Sequence, residues 1–276
     1  MRVLVFGGTH GNECTGVTVV TQYAEALKKK FPKLDLHFIF ANPEAHQLGK
    51  RFKDEDLNRA FQFLHEDRAQ SYEHNRAKEI KKQIDEAPCF VIDLHTTTSN
   101  MGSTVIVTHY NPLNLDISAK LSTSLENCRV IGSPDPKRKY LGSQSDHGLM
   151  IEVGPVPNNL LEATCLKATL EILESILNHL SLHPLPSTGS IEIYEEVKDV
   201  YYPENEAGKI TAYIHKDLQG QDFHPLKERF TAFESFKGES IDHDIQEELY
   251  PIFINEAAYY PQKLAFSLCR KVNRKY

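Results

Sequence analysis

Short apolar runs of the strand type alternate with segments of helical periodicity through the first two-thirds of the chain, and this alternation limits the fold most strongly. Arg2 to Phe6 is an aliphatic and β-branched run that stops at Gly7-Gly8, and a helical segment follows up to Lys30. Further strand-type runs lie at 34–41, 89–94, 104–108, 129–131 and 149–153, and helical ones at 69–84, 115–125 and 160–180. Buried strands that alternate with helices predict an α/β protein with a mixed sheet flanked by helices on both faces.

The pattern changes at 183–189, where the sequence reads HPLPSTG. Beyond it, short β-like segments at 191–197, 210–214, 230–233 and 249–254 are separated by polar loops, and only 263–272 has helical character. The length of 276 residues accommodates one large and one small domain. We therefore predict an α/β domain over 1–185 and a smaller β-rich domain over 186–276.

Composition narrows the partners and the location. The 31 basic residues against 38 acidic ones give a net charge of −7, which argues against nucleic acid or an anionic membrane as a partner. No run approaches the roughly 20 apolar residues of a membrane span. The five cysteines are widely spaced without a C-x-x-C pair, so neither a disulfide framework nor a thiolate zinc site is indicated. The N-terminus lacks the features of a signal peptide, which predicts a cytoplasmic location.

A candidate metal site begins where the first predicted strand ends. His10 and Glu13, in FGGTHGNE, are three residues apart and can present lone pairs to one point. His95 ends the buried run FVIDLH at the carboxyl end of another predicted strand, where ligands bind in α/β sheets. Asp93 lies on the same side of that strand and can orient the imidazole. Two histidines and one carboxylate leave a fourth position for water, which is typical of catalytic zinc sites.

Hydrolysis of an amide at such a metal also needs a general base and a cation for the oxyanion. Glu152 is a lone carboxylate in the apolar run LMIEVGP, where desolvation raises the pKa of a glutamate, so it is the candidate base. Arg51 and the DLNR segment that ends at Arg59 supply cations from one loop.

Five motifs then occur in an order that carries a family resemblance. GGTHGNE, DLNR, DLHTTTSNMG, IEVGP and PIFINEAAYY together resemble the aspartoacylase family, the aspartoacylase and succinylglutamate desuccinylase branch of the zinc carboxypeptidase fold, from residue 3 to about 267. The resemblance implies a zinc-carboxypeptidase-like N-terminal domain and a β-rich C-terminal domain that partly covers the site. It also implies one Zn²⁺ per subunit, a homodimer, and hydrolysis of small anionic N-acyl amino acids.

The resemblance assigns metal-binding and catalytic roles to residues at matching motif positions. His10, Glu13 and His95 match the zinc ligands. Glu152 matches the general acid/base, and Arg51 matches the arginine that polarises the scissile carbonyl.

Substrate-binding roles carry over in the same way. Asn58 and Arg59 match residues that bind the substrate carboxylate, and Tyr140 and Tyr259 match two substrate tyrosines, the second from the C-terminal domain. Lys263 falls where the family carries a lysine near the mouth of the pocket.

One departure bears on specificity. Family members that prefer N-acetylaspartate carry a further arginine shortly beyond the tyrosine that Tyr140 resembles, but residues 141–147 read LGSQSDH. Gln144, His147 or the basic run at 137–139 are the available substitutes. N-acetyl-L-aspartate is the leading substrate, and the alternatives are N-acyl aromatic or other amino acids, a desuccinylase and a peptidase. A non-catalytic zinc-binding protein is a further alternative, although a structural metal would need neither Glu152 nor Arg51.

Overall fold

The first two-thirds of the chain folds into strands that alternate with helices. The computed structural model describes residues 1–66, 71–133, 139–182 and 187–276. The strands of this part are β1 (Arg2–Gly7), β2 (Asp35–Phe40), β3 (Cys89–Thr96), β4 (Gly102–Val107), β5 (Arg129–Gly132) and β6 (Gly148–Gly154). The helices are α1 (Cys14–Thr18), α2 (Ala24–Lys30), α3 (Pro43–Gln47), α4 (Leu57–Ala60), α5 (Tyr72–Asp85), α6 (Pro112–Ser124) and α7 (Ala163–Ser181), with a π-helical turn at Val19–Tyr23.

The C-terminal part is built of strands. They are β7 (Ser190–Tyr201), β8 (Ala212–Ile214), β9 (Arg229–Ser235), β10 (Ser240–Asp244), β11 (Tyr250–Ile252) and β12 (Leu264–Lys275). Short 3₁₀ turns lie at Phe61–Phe63, Leu141–Ser143 and Tyr260–Gln262.

One mixed sheet runs through both parts, in the order β11-β12-β7-β5-β4-β6-β3-β1-β2. Strands β2, β1, β3 and β6 are mutually parallel, whereas β4 is antiparallel to β6. A second, antiparallel sheet has the order β10-β9-β8. The predicted α/β class, with a mixed sheet and a smaller β-rich part, is confirmed. Because β1, β3 and β6 are parallel, their carboxyl ends meet at one edge of the large sheet.

Alternate residues of the central strands pack against opposite helical layers. In β1, Val3 and Val5 belong to the core cluster that includes α6 and α7, whereas Leu4 and Phe6 pack with α4 and α5. All four of these positions are nearly free of solvent exposure because both faces of the strand are covered. The double layer holds the carboxyl edge of the sheet in place.

The predicted helix at 263–272 is wrong, because Leu264–Lys275 is strand β12. Leu264, Leu268 and Val272 recur at helical spacing, but Phe266 and Leu268 also alternate as in a strand. The segment pairs with β7 along nearly its whole length, and this long ladder outweighs the weak helical pattern. The short strand β10, at the polar sequence SIDHD, was not predicted.

The C-terminal part is less separate from the rest than the sequence pattern indicates. Its strands β7, β11 and β12 extend the large sheet, and β7 pairs in parallel with β5. The boundary at 185/186 stays a prediction and lies at the undescribed residues 183–186, and the predicted helix start at 69 also lies outside the described residues. None of the described helices combines the length and apolar character needed to cross a bilayer.

Candidate active site

Three buried side chains at the carboxyl edge of the large sheet form a cluster suited to a metal ion. His10 follows β1, Glu13 directly precedes α1, and His95 lies in β3. Their ligand atoms all lie within 4.8 Å of one another. Nδ1 of His10 lies 2.6 Å from one Glu13 carboxylate oxygen, and Nδ1 of His95 lies 3.0 Å from the other. The structure thus brings the predicted ligand set to one point.

The outward-facing nitrogens of both imidazoles contact further carboxylates. Nε2 of His95 lies 2.7 Å from Asp93, whose other oxygen accepts a 2.7 Å hydrogen bond from the Thr9 hydroxyl. Nε2 of His10 lies 3.4 Å from Asp56. Carboxylates behind ligating histidines fix the ring orientation and increase its basicity. This donor set fits Zn²⁺, which takes two histidines and a carboxylate in one class of catalytic site.

The charges of the cluster shift its pKa values in opposite directions. Burial raises the pKa of Glu13, but the nearby His10 and His95 lower it by a larger amount. The net result is a pKa well below that of an ordinary glutamate. Burial lowers the pKa of His95, whereas Asp93 and Glu13 raise it well above the usual range. Glu13 is therefore held as a carboxylate, which is the form that binds a metal.

Glu152 lies beside this cluster on β6. The register of the parallel pair β3 and β6 places it opposite His95. Burial raises the pKa of Glu152, and the carboxylates of Glu13 and Glu256 add to this effect, giving a value of about 8. A carboxyl group that titrates near neutral pH is suited to accept a proton and return it.

Arg51 enters the cluster from the loop between α3 and α4. Its Nε donates to Asp56 at 3.0 Å, and a terminal nitrogen lies 3.5 Å from the Glu13 carboxylate. Asp56 is also the N-cap of α4, accepting backbone hydrogen bonds from Asn58 at 2.9 Å and Arg59 at 3.3 Å. Hydrogen bonds and nearby cations hold the pKa of Asp56 far below its usual value despite burial. One carboxylate thus fixes three candidate substrate-binding residues.

Tyr140 joins this group through its neighbour in the chain. The side-chain oxygen of Asn58 accepts a 3.0 Å hydrogen bond from the backbone of Leu141. The Arg59 guanidinium lies 5.3 Å from the centroid of the Tyr140 ring, a distance at which cation–π attraction operates.

Tyr259 comes from the C-terminal part, in the turn after β11. Its ring lies 5.6 Å from that of Phe253, edge to face. Burial raises the pKa of its hydroxyl above the usual range, and the carboxylate of Glu152 adds to this, so the hydroxyl stays protonated and can donate.

Glu256 fixes this turn, and sequence reasoning missed its role. Its buried carboxylate accepts hydrogen bonds from the backbone of Thr98 at 2.8 Å, from the Thr97 hydroxyl and from the backbone of Ser99 at 3.3 Å. These residues directly follow β3 and His95. The only signal in the sequence was an isolated acidic residue in the otherwise uncharged run PIFINEAAYY. Glu256 thus joins the turn that carries Tyr259 to the end of the strand that carries His95, a candidate metal ligand.

All nine predicted site residues surround one cavity of about 70 Å³, whose wall includes the apolar side chains of Ile106, Met150 and Phe253. The nine are His10, Glu13, Arg51, Asn58, Arg59, His95, Tyr140, Glu152 and Tyr259. The cavity shares seven lining residues with an outer cleft of about 700 Å³, so the two form one entrance path.

Other predicted residues lie elsewhere. The Lys263 amine contacts Glu204 and the backbone oxygen of Gly208 at 2.8 Å, and Lys263 lines neither the cavity nor the cleft, although its neighbours Gln262 and Leu264 line the cleft. Gln144 donates to the Tyr140 backbone at 2.9 Å and His147 is exposed, and neither lines the cavity. Lys139 is exposed, and residues 137 and 138 of the basic run lie outside the described residues.

The fold and the cluster define an α/β protein with a two-histidine, one-carboxylate metal-type centre at the carboxyl edge of its sheet. Residues 1–180 match the succinylglutamate desuccinylase/aspartoacylase catalytic domain, and residues 189–271 match the AstE/AspA barrel-sandwich hybrid domain. The chain therefore belongs to the succinylglutamate desuccinylase/aspartoacylase family.

Individual relatives cover nearly the whole chain. Aspartoacylase of Mus musculus is 35% identical over 98% of this chain and 93% of its own length. The N-acyl-aromatic-L-amino acid amidohydrolase (carboxylate-forming) of Xenopus tropicalis is 34% identical over 99% of this chain and 93% of its own. The crystal structure of murine aminoacylase 3 matches with a TM-score of 0.91 and 30% identity, covering 100% of this chain and 96% of that one. The family resemblance predicted from the motifs is confirmed. The names of these relatives indicate two kinds of substrate, N-acylated aspartate and N-acylated aromatic amino acids.

Proposed function

We propose that the protein is a zinc-dependent amidohydrolase that cleaves an N-acyl amino acid to a carboxylate and a free amino acid, with N-acetyl-L-aspartate as the leading substrate. The observation that carries the proposal is the convergence of a metal-type cluster, a buried glutamate of raised pKa and two arginines on one small cavity. A metal ion with a purely structural role would need neither Glu152 nor Arg51 beside it.

His10, Glu13 and His95 would hold the metal. A bound Zn²⁺ supplies a Lewis acid that activates water and polarises the acyl carbonyl. Glu152 takes a proton from the attacking water and returns it to the leaving nitrogen, a role that its position opposite His95 and its raised pKa support. Arg51, held by Asp56 beside the cluster, stabilises the negative charge that develops on the carbonyl oxygen.

The remaining polar residues bind the substrate. Asn58 and Arg59, at the start of α4, bind the α-carboxylate, and a guanidinium is suited to a two-point contact with it. Tyr140 and Tyr259 flank this position, and the protonated hydroxyl of Tyr259 donates to the substrate. The small inner cavity favours a short acyl group.

An N-acyl aromatic amino acid is the second candidate substrate. No arginine occurs at 141–147, and neither Gln144 nor His147 lines the cavity in its place. The outer cleft is lined by the apolar or aromatic side chains of Phe52, Tyr201 and Leu264, which would pack against an aromatic side chain. The cytoplasmic location and the homodimer expected from the sequence stay predictions.

The test is hydrolysis of a panel of acids: N-acetyl-aspartate, N-acetyl-glutamate, N-succinyl-glutamate, N-acetyl-tyrosine and N-acetyl-histidine, each with and without a chelator. We expect hydrolysis of the aspartate or the tyrosine derivative, its loss with the chelator, and its recovery on addition of Zn²⁺. Hydrolysis that persists in the metal-free protein would refute the metal mechanism, and inactivity of the zinc-loaded protein on every acid would refute the amidohydrolase.

A further inference from the structure

A second buried carboxylate lies behind the loop that carries the substrate-binding residues. Glu73 is in the first turn of α5 and has no solvent exposure. It lines neither the inner cavity nor the outer cleft, so it cannot touch a substrate there. A buried carboxylate is destabilising unless hydrogen bonds replace the water that it has lost. The groups that compensate Glu73 therefore show what it holds.

Three of its partners are consecutive backbone N–H groups of the loop between α3 and α4. Lys53 donates to one carboxylate oxygen at 2.6 Å, and Asp54 and Glu55 donate to the other at 3.0 and 3.2 Å. Successive N–H groups that converge on an anion form a nest, and here the anion is a side chain of the same protein. Glu73 thus sets the path of the loop backbone.

The fourth partner links Glu73 to the metal-binding side of the site. The side-chain nitrogen Nδ2 of Asn42 donates to the Glu73 carboxylate at 3.3 Å, and Asn42 is fully buried. The backbone N–H of Asn42 donates to the carbonyl of Gly8, two residues before His10. The helix, the loop and the start of the metal-binding segment therefore share one hydrogen-bonded network.

The loop also reaches back to the helix. The carboxylate of Asp54 accepts a 2.9 Å hydrogen bond from the Tyr72 backbone, and the Ser71 hydroxyl donates to the Glu55 carboxylate. Each segment thus supplies both donors and acceptors to the other. These hydrogen bonds in both directions fix residues 53–55, in the loop, against the start of α5.

The held segment lies between the residues that face the substrate. Arg51 is two residues before Lys53, and Asp56, which caps α4 and orients Asn58 and Arg59, directly follows Glu55. We infer that Glu73 is a positioning residue that places Arg51, Asn58 and Arg59 for binding and catalysis through the backbone of residues 53–55. This inference rests on the proposed function, because it assigns these three residues to the substrate.

The isosteric substitution Glu73→Gln tests the inference. An amide has one acceptor oxygen, so its NH₂ group would face N–H donors of the loop and the loop would shift. Misplacement of catalytic groups by about 1 Å can lower activity about 10²-fold. We expect kcat/KM to fall by about that factor while the zinc content stays that of the unsubstituted protein.

A substrate ratio separates positioning from loss of folded protein. The ratio compares kcat/KM for an N-acetyl amino acid with that for its α-carboxamide, and it does not depend on the fraction of active enzyme. Asn58 and Arg59 should favour the carboxylate, so we expect the unsubstituted protein to prefer the acid and Glu73→Gln to lower the preference at least tenfold. Glu79→Gln, an exposed carboxylate on the same helix, is the matched control and should leave the ratio unchanged.

Each result decides one point. A normal acid preference in Glu73→Gln would overturn the inference while leaving the amidohydrolase in place. An unsubstituted protein that hydrolyses neither compound would overturn the proposed function, and this inference with it. If Glu73→Gln does not fold, Glu73→Asp keeps the charge on a shorter side chain that cannot reach all three N–H groups. A lowered ratio in that variant supports the inference, and an unchanged ratio overturns it.

Discussion

The residues around the cavity fall into two groups that are held in place by different means. The strand-borne group consists of His95 and Glu152, which the hydrogen bonds of the sheet fix within strands β3 and β6, and of His10 and Glu13, which lie between β1 and α1. The loop-borne group, consisting of Arg51, Asn58, Arg59, Tyr140 and Tyr259, lies on segments outside the sheet.

Outside the sheet, carboxylate side chains instead of strand pairing accept the hydrogen bonds that hold the backbone in place. Glu73 and Glu256 each accept several hydrogen bonds from loop backbone, and Asp56 accepts two from the first turn of α4. Their partners lie close to the loop-borne side chains. The strand-borne group carries the metal and proton chemistry of the proposal, and the loop-borne group carries recognition. A site of this kind keeps its proposed chemistry at the ends of the sheet strands and places substrate recognition on segments that a single carboxylate can hold.

The largest effect is expected from breaking the strand-borne group. His95→Ala removes one of three metal ligands, and we expect zinc content and hydrolysis to fall together to background because two ligands do not hold the ion firmly. Metal analysis and the hydrolysis assay on one preparation check this. His147→Ala, an exposed histidine, is the control and should leave both unchanged. Stoichiometric zinc in the His95 variant would show that the ligand set is wrong.

A smaller effect is expected where the two groups are joined. Glu256→Gln weakens the contacts between the turn carrying Tyr259 and residues 97–99, so we expect kcat/KM to fall by about 10- to 100-fold with zinc retained. Steady-state kinetics and metal analysis measure both quantities. Glu247→Gln replaces an exposed carboxylate of the same C-terminal part and should have no effect. Full activity of the Glu256 variant would show that these contacts of the turn are not needed for catalysis.

The support of the same turn should depend on pH. Asp222 accepts a 3.0 Å hydrogen bond from the Ile254 backbone, and burial raises its pKa from 3.8 to about 6. A carboxyl group with a raised pKa in the folded state favours folding at low pH and loses that contribution as pH rises. Across about pH 3 to 7 this loss amounts to about 3 kcal/mol.

The asparagine of Asp222→Asn cannot ionise, so the variant does not lose this stability. The free energy of unfolding of the variant minus that of the unsubstituted protein should therefore increase by about this amount as pH rises across the interval. Urea unfolding of both proteins at matched pH values measures the difference. A difference that does not change with pH would show that Asp222 has an ordinary pKa.

The smallest effect is expected outside both groups. Lys263→Gln removes a partly exposed ion pair with Glu204, and such pairs contribute at most about 1 kcal/mol. We expect kcat/KM to change by less than about twofold, since the amine does not line the cavity. A large rise in KM would restore Lys263 to substrate binding and would extend the loop-borne group beyond the cavity.

The strand-borne group was accessible to sequence reasoning because its signals are local. His95 and Glu152 stand in apolar runs of strand type, and His10 and Glu13 have a spacing that lets both reach one point. The α/β class followed from the same alternation of runs. The predicted helix at 263–272 failed because pairing with β7, a contact distant in sequence, decides its conformation.

The supporting carboxylates were not accessible in the same way. Glu73 binds backbone 18 to 20 residues away, and Glu256 binds backbone 157 to 158 residues away. Backbone N–H groups are common to all residues except proline, so no residue type in the sequence marks them as partners. Only the fold shows which loops these two carboxylates hold.

Glu152→Gln tests the division between the two groups most directly, measured as zinc content, substrate affinity and turnover of the same preparation. The account predicts bound zinc and nearly normal affinity, with turnover lowered by about 10²- to 10⁴-fold because the proton acceptor is lost. Turnover close to that of the unsubstituted protein, with zinc present, would contradict it.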